Sequence, residues 1–295
     1  MRSVSMQVLV EIDACRDAVR GLRGAGRRVG LVPTMGALHE GHLSLVRAAR
    51  EQCDAVVVTI FVNPAQFGPG EDFARYPRPI DDDVEACRVG GVDVVFSPTV
   101  EAMYPDGART TVQVGGLTSG LCGPHRPGHF EGVATVVAKL FNIVPADAAF
   151  FGEKDYQQLV VIRQMARDLN IPVEVVGCPT VREPDGLALS SRNKYLSSSE
   201  RRQALSLSEA LFAARDRIGA GDHDVGVNVS RIRRQLSAAG VADVDYVEVV
   251  DAVTLEPLTA VDRPARIAAA VRIGACRLID NVAAEGKKAR RQEGT

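Results

Sequence analysis

Tryptophan is absent and aromatic residues make up only 5% of the 295, so the flat surfaces on which unpaired RNA bases stack are scarce. Neither sign of charge is in excess. Lys and Arg number 35 against 37 Asp and Glu, a net charge of -2, which leaves out the positive field that a nucleic-acid partner calls for. No uninterrupted apolar run approaches the roughly 20 residues of a membrane helix, and the start Met1-Arg2-Ser3-Val4-Ser5 lacks the apolar core of a secretory signal. The cysteines at 15, 53, 87, 122, 178 and 276 are scattered and form no Cys-x-x-Cys pair, so they read as core or surface thiols. The expectation is a cytoplasmic chain with reduced thiols, a small-molecule substrate, and neither nucleic acid nor membrane as partner.

What is present is organised in two parts. Through the first three fifths, β-branched runs alternate with helical stretches, the grammar of βαβ units on a parallel sheet. Ala55-Val56-Val57-Val58-Thr59-Ile60-Phe61-Val62 is apolar nearly throughout, as befits a strand covered on both faces. Val92-Asp93-Val94-Val95-Phe96, Ala148-Ala149-Phe150-Phe151 and Val173-Glu174-Val175-Val176 read as companion strands. Helical stripes run through Leu43, Val46, Ala49 and Cys53, through Val133, Val136, Val137, Leu140 and Ile143, and through Leu159, Ile162, Ala166 and Leu169. The fold class expected is α/β, a Rossmann-like doubly wound parallel sheet over residues 1–182. After the Glu183-Pro184-Asp185-Gly186 turn, helices at about 199–218 and 225–239 precede strands at 245–250 and 266–272, which predicts a smaller α+β domain over 183–284. Residues 285–295, with Lys287, Lys288, Arg290 and Arg291 and almost no apolar side chain, read as a mobile tail.

Chemistry concentrates where the strand Arg28-Val29-Gly30-Leu31-Val32-Pro33-Thr34 runs into Met35-Gly36-Ala37-Leu38-His39-Glu40-Gly41-His42 and a helix start. A helix N-terminus offers unpaired N–H groups and the positive end of a dipole to a phosphate. Gly36 and Gly41 would let backbone approach such a ligand, and the imidazoles of His39 and His42 could donate to its oxygens. Helix capping by the two histidines is the rival reading. A zinc site fits poorly, because His-Glu-Gly-His is one residue short of the zinc-protease spacing. In open α/β sheets ligands bind beyond the carboxyl ends of the strands. The polar segments Asn63-Pro64-Ala65-Gln66 and Gly152-Glu153-Lys154-Asp155 should lie there too. Leu189-Ser190-Ser191-Arg192 adds hydroxyls and a guanidinium suited to phosphate oxygens.

Together with Arg126-Pro127-Gly128-His129-Phe130, these segments closely resemble the pantothenate synthetase family, ligases joining pantoate to β-alanine, within the nucleotidyltransferase superfamily that shares a His-x-Gly-His turn. The resemblance spans nearly the whole chain in order. It implies an ATP-dependent reaction through pantoyl adenylate, with release of pyrophosphate and AMP, in a magnesium-using homodimer. His42 would be the proton donor, with His39, Lys154 and Arg192 also catalytic. ATP would contact Met35, Gly36, Ala37, Leu38, His39, Glu40, Gly41 and His42. It would also contact Gly152, Glu153, Lys154, Asp155, Val181, Leu189, Ser190, Ser191 and Arg192. Gln66 and Gln158 would bind pantoate, Gln66 also β-alanine, and Met35, Phe61, Val136 and Val137 are candidates for an apolar wall. Amides suit the acid because they add no charge that would weaken the nucleophile. Asp82 and Asp83 would hold magnesium by resemblance, although capping of the helix beginning near Val84 explains them as well. Arg126 and His129 have two readings, contact with substrate or ordering of their loop.

Overall fold

A segment as apolar as Ala55–Ile60 can form a strand only if both of its faces are covered. The computed structural model describes residues 6–285, and there that segment lies inside a six-stranded sheet. In chain order the elements are β1 (Gln7–Leu9), α1 (Ile12–Gly24), β2 (Val29–Thr34), α2 (Glu40–Gln52), β3 (Ala55–Ile60), α3 (Ile80–Val89), β4 (Val94–Phe96), α4 (Val100–Met103), α5 (His129–Ile143), β5 (Ala148–Gly152), α6 (Tyr156–Asp168) and β6 (Glu174–Cys178). The strand order is β1-β4-β3-β2-β5-β6, and every pairing is parallel. The Rossmann-like sheet expected from sequence is the one that forms.

From β2 the chain moves outward through β3 to β4 on one side, and later through β5 to β6 on the other. The order therefore reverses between β2 and β5, the topological switch point at which open α/β sheets bind ligands. Thr34 pairs with Ile60 and Leu31 with Ala149, so the segments leaving β2, β3 and β5 emerge side by side. Beneath them, Leu45, Val46 and Ala49 of α2 pack on Val32, Val56, Val58, Ile60 and Phe150. Full burial of a valine or leucine contributes roughly 1.5–3 kcal/mol. One close approach fixes the exit from β3. A Cβ added to Gly132 of α5 would stand 2.2 Å from the carbonyl oxygen of Ala65, so only glycine lets α5 lie against the 3-10 turn Pro64–Gln66.

The chain divides into two compact units. One holds the residues up to Ser119 together with Arg126–Val181 and Leu189–Ser191; the other holds Gly120–His125, Arg182–Ala188 and the chain from Arg192 onward. The second unit contains α7 (Ser198–Gly219), α8 (Val225–Ala238) and an antiparallel sheet β7 (Asp243–Asp251), β8 (Ala265–Ile273), β9 (Cys276–Ala284). Helix α7 opens with a reciprocal cap, Ser197 Oγ accepting from Glu200 N and the Glu200 carboxylate from Ser197 N. Leu207, Leu211, Ile232, Ile267 and Leu278 sit in its core. This is the small α+β domain the order of elements predicts. All six cysteines are buried, and none forms a disulfide among the described residues. No helix among the described residues is long and apolar enough to cross a membrane. The tail expected over 285–295 lies, beyond Glu285, outside the described residues, as does Met1–Ser5.

Candidate active site

Past Thr34 the chain must turn from the sheet into α2, and Gly36 and Ala37 do so in left-handed backbone, with φ of 78° and 52°. For alanine that conformation costs roughly 1–2 kcal/mol. Asp83, from the first turn of α3, holds it: its two carboxylate oxygens accept from Ala37 N at 2.8 Å and Leu38 N at 2.7 Å. Asp83 is 2% exposed. Burial pushes its pKa up, while the two amides pull it back. A Cβ on Gly36 would stand 2.8 Å from Asp83 Oδ2.

The start of α2 is closed by the two histidines themselves. His39, the N-cap, accepts at Nδ1 from Gly41 N (3.1 Å), and His42 Nδ1 accepts from His39 N (3.3 Å). A neutral imidazole that accepts at Nδ1 carries its proton on Nε2. Both rings are kept neutral. Burial, then His39 and the cation of Lys154, take His42 down to about 3 despite Asp155; burial and Lys154 also lower His39. The ring centroids are 4.2 Å apart. Capping thus uses the Nδ1 edge of each ring and does not use Nε2, so the two readings offered by the sequence are compatible.

Two expectations are corrected by this geometry. Gly41 N is taken by His39, and Ala37 N and Leu38 N by Asp83, so those three amides are engaged within the protein rather than open to an anion. The glycines make room for the protein rather than for a ligand, since a Cβ on Gly41 would lie 2.8 Å from His39 Cε1.

Other segments gather at this turn. Lys154 and Asp155, in the 3-10 turn that follows β5, bear electrostatically on both imidazoles and lie 3.7 Å from each other, Nζ to Oδ2. Leu189 N donates to Val181 O at 3.0 Å, and Leu189 Cβ is 3.9 Å from where a Gly41 Cβ would be. Ser190 and Ser191, both half-buried, follow it, whereas Arg192 falls in the second unit. Glu40 is exposed and pairs with Arg47. Gln66 is 8% exposed, its Nε2 2.9 Å from Met35 Sδ and its Oε1 accepting from Asn63 Nδ2 at 3.1 Å. Gln158 is half-buried on the first turn of α6, while its neighbour Gln157 is buried and donates to Leu117 O. Phe61, Val136 and Val137 are buried.

A family model described as pantoate-beta-alanine ligase matches residues 7–283. This chain belongs to the pantoate-beta-alanine ligase family. It is 56% identical over 280 residues to a pantothenate synthetase of Moorella thermoacetica, across 95% of this chain and 99% of the relative. The solved pantothenate synthetase of Thermus thermophilus superposes with a TM-score of 0.89 at 50% identity, covering 94% of this chain and 99% of that one. The pantoate-beta-alanine ligase of Francisella tularensis, solved in complex with beta-gamma ATP and beta-alanine, gives a TM-score of 0.79 at 35% identity, over 94% and 97%.

Within this ligase-family fold, neither sequence reading of Asp83 describes where its carboxylate goes. It is no helix cap, since α3 has Pro79 in that position, and both of its oxygens are engaged by the turn. Asp82 is exposed. Among the described residues no cluster of three or more His, Cys, Asp or Glu is arranged to hold a metal. Arg126 and His129 order their surroundings: Arg126 forks onto Glu71 and reaches His129, whose ring meets the backbone of Gln66. Sequence reasoning passed over Asn63, which binds Gln66, Gly132 O and the Tyr104 hydroxyl, although it stands in the quoted Asn-Pro-Ala-Gln run.

Acid sensitivity follows from the buried imidazoles. His42 near 3 and His129 near 4 stay unprotonated in the native state where an unfolded histidine, with a pKa of about 6.5, takes up a proton. Unfolding between pH 6 and 5 therefore binds about two protons, and stability should fall by roughly 2–3 kcal/mol per pH unit as pH drops. Urea unfolding at several pH values checks this, and constant stability across that interval contradicts it. Only above about pH 7.5, where the unfolded imidazoles are neutral too, do these two groups contribute no pH dependence.

Proposed function

We propose that this chain condenses pantoate with β-alanine at the expense of ATP through an enzyme-bound pantoyl adenylate. Family membership supports the overall reaction, and the Francisella tularensis complex supports ATP and β-alanine as substrates. The observation that carries the mechanism is the reciprocal cap of His39 and His42, which turns two neutral Nε2–H groups away from the helix beside Lys154.

In the first step a carboxylate oxygen of pantoate bonds to the α-phosphorus while the bond from that phosphorus to the bridging oxygen breaks. Pyrophosphate leaves with the electron pair. An anion must approach a polyanion, so the site has to offset charge where it develops. His39 and His42 donate hydrogen bonds to phosphate oxygens; with pKa values below neutrality they act as donors without giving up a proton, which refines the proton-donor role expected for His42. Lys154 takes the β- and γ-phosphates, with Ser190 and Ser191 assisting. Gly152 and Asp155 hold the ribose, and the backbone at Val181 receives the adenine. Gln66 and Gln158 orient pantoate as neutral amides, Gln66 also meeting β-alanine. In the second step the amine attacks the acyl carbon, the bond to AMP breaks, and the amine proton is released.

Magnesium commonly takes one or two carboxylates and otherwise waters and substrate phosphates. Asp83, 2% exposed and with both oxygens facing the turn, is closed to an ion and its waters, which leaves the exposed Asp82 as the carboxylate that would hold it; the ion would supply charge neutralisation of the pyrophosphate. By the family resemblance the chain would work in the cytoplasm as a homodimer; light scattering on the purified protein tests the dimer.

A transferase that leaves AMP on its acceptor would use the same turn, so product analysis separates the readings. With ATP, magnesium and pantoate, the account expects pyrophosphate in an amount close to that of enzyme; added β-alanine should bring multiple-turnover AMP and pantothenate. AMP released without β-alanine, or no pantothenate with it, would sink the proposal.

A further inference from the structure

Gln66 is held from two sides. Its side chain lies between Met35 and Asn63, and its carbonyl oxygen accepts from His129 Nδ1 at 2.8 Å and from Arg126 Nη2 at 3.4 Å. His129 Nε2 stands 2.9 Å from Arg126 Nη1. Because a guanidinium can only donate, that nitrogen of His129 is the acceptor, and the proton is thereby fixed on Nδ1, facing Gln66. The remaining edge of Arg126 is forked onto Glu71, Nε to Oε1 at 2.8 Å and Nη2 to Oε2 at 2.7 Å. One guanidinium thus ties the loop at 66 and 71 to the start of α5 at 129. All lie in the first unit.

We infer that Glu71, Arg126 and His129 form a positioning chain that fixes the peptide of Gln66, and with it the amide that orients the organic acid. Arg126 is held by Glu71 as an internal tie, so the acid meets a neutral amide rather than a guanidinium that would compete for its nucleophilic oxygen. His129 sets the direction of the carbonyl; Arg126 sets the tautomer of His129; Glu71 sets the rotamer of Arg126. The inference rests on the assignment of Gln66 to pantoate.

The test uses the geometry of the ring. An asparagine amide reproduces the position of Nδ1, and a longer glutamine amide that of Nε2. His129→Asn should keep the donor to Gln66 and hold the pantoate KM within about threefold of the parent, whereas His129→Gln, though closer in volume, should raise it roughly tenfold or more, as misplacement of a positioned group does. The KM for ATP should stay within about twofold in both. Glu71→Gln, at a partly exposed residue, should raise the pantoate KM by about threefold without disturbing the fold, since it only loosens the fork. A glutamine variant as good as asparagine, or parallel rises in both KM values, would overturn the chain as a positioning device and leave it a packing feature. Gln66→Ala separates the two levels: if it leaves the pantoate KM unchanged, the substrate assignment and this inference fall together; if it raises it while the His129 variants do not, only the inference falls.

Discussion

Replacing His42 with alanine is expected to slow adenylate formation by roughly 100- to 1000-fold, the usual loss when a donor aimed at developing charge is removed. ATP affinity should change by no more than about threefold, because the Nε2–H bond strengthens chiefly as charge accumulates on the phosphate. The alanine variant also strips His39 N of its partner at 3.3 Å, a capping loss worth about 1 kcal/mol. His42→Asn separates the effects. Its Oδ1 can accept from His39 N and keep the helix start, yet it has no counterpart of Nε2–H. It should fold like the parent and turn over as slowly as the alanine variant. Rapid-quench measurement of pantoate-dependent pyrophosphate release reads the step directly; a variant as fast as the parent would remove His42 from the chemistry.

The second large effect belongs to Asp83. Asp83→Ala leaves the amides of Ala37 and Leu38 without acceptors in a turn that already carries a left-handed alanine. Two hydrogen bonds to a buried carboxylate place the expected cost at about 2–4 kcal/mol. Because Met35–Leu38 links β2 to the histidine cap, ATP binding should weaken at least about tenfold as the turn samples other conformations. Asp83→Asn should be intermediate, since it keeps one acceptor and sets an NH2 against the other amide. The measurement is paired, urea unfolding alongside ATP titration. A variant with parental stability and affinity would mean that the turn holds itself.

Long apolar runs and helical stripes made the architecture legible: β2 through β6, α2, α5, α6, α7 and α8 all lie where periodicity places them. The edges did not declare themselves. β1 has three residues, too few for a period, and Val8 on it is 46% exposed. β9 breaks the alternation with adjacent Asp280 and Asn281, both buried; Asp280 is offset by a bidentate bond to Arg182 (2.7 and 2.9 Å), a partner 98 residues away that no local pattern announces.

At the site the same division holds. The turn Met35–His42 stands out by its local pattern of glycines and histidines, whereas Gln66 and Lys154 are singled out only by the family resemblance. The acceptor for the Ala37 and Leu38 amides was not legible, since Asp83 lies 46 and 45 positions downstream and reads locally as a helix-start acid. Nor could sequence say which way each imidazole faces. Spacing put two rings at one helix start, and only the hydrogen bonds at Nδ1 show that capping and donation use opposite nitrogens.

That division of labour within each ring is the centre of the account, and nitrogen-15 NMR of the histidine side chains reads it without recourse to activity. His39 and His42, assigned through single substitutions, should show an unprotonated Nδ1 and a protonated Nε2, with His42 remaining neutral from about pH 8 down to below about pH 5. Protonation of His42 near its ordinary value of about 6.5, or a proton found on Nδ1 of either ring, would contradict it.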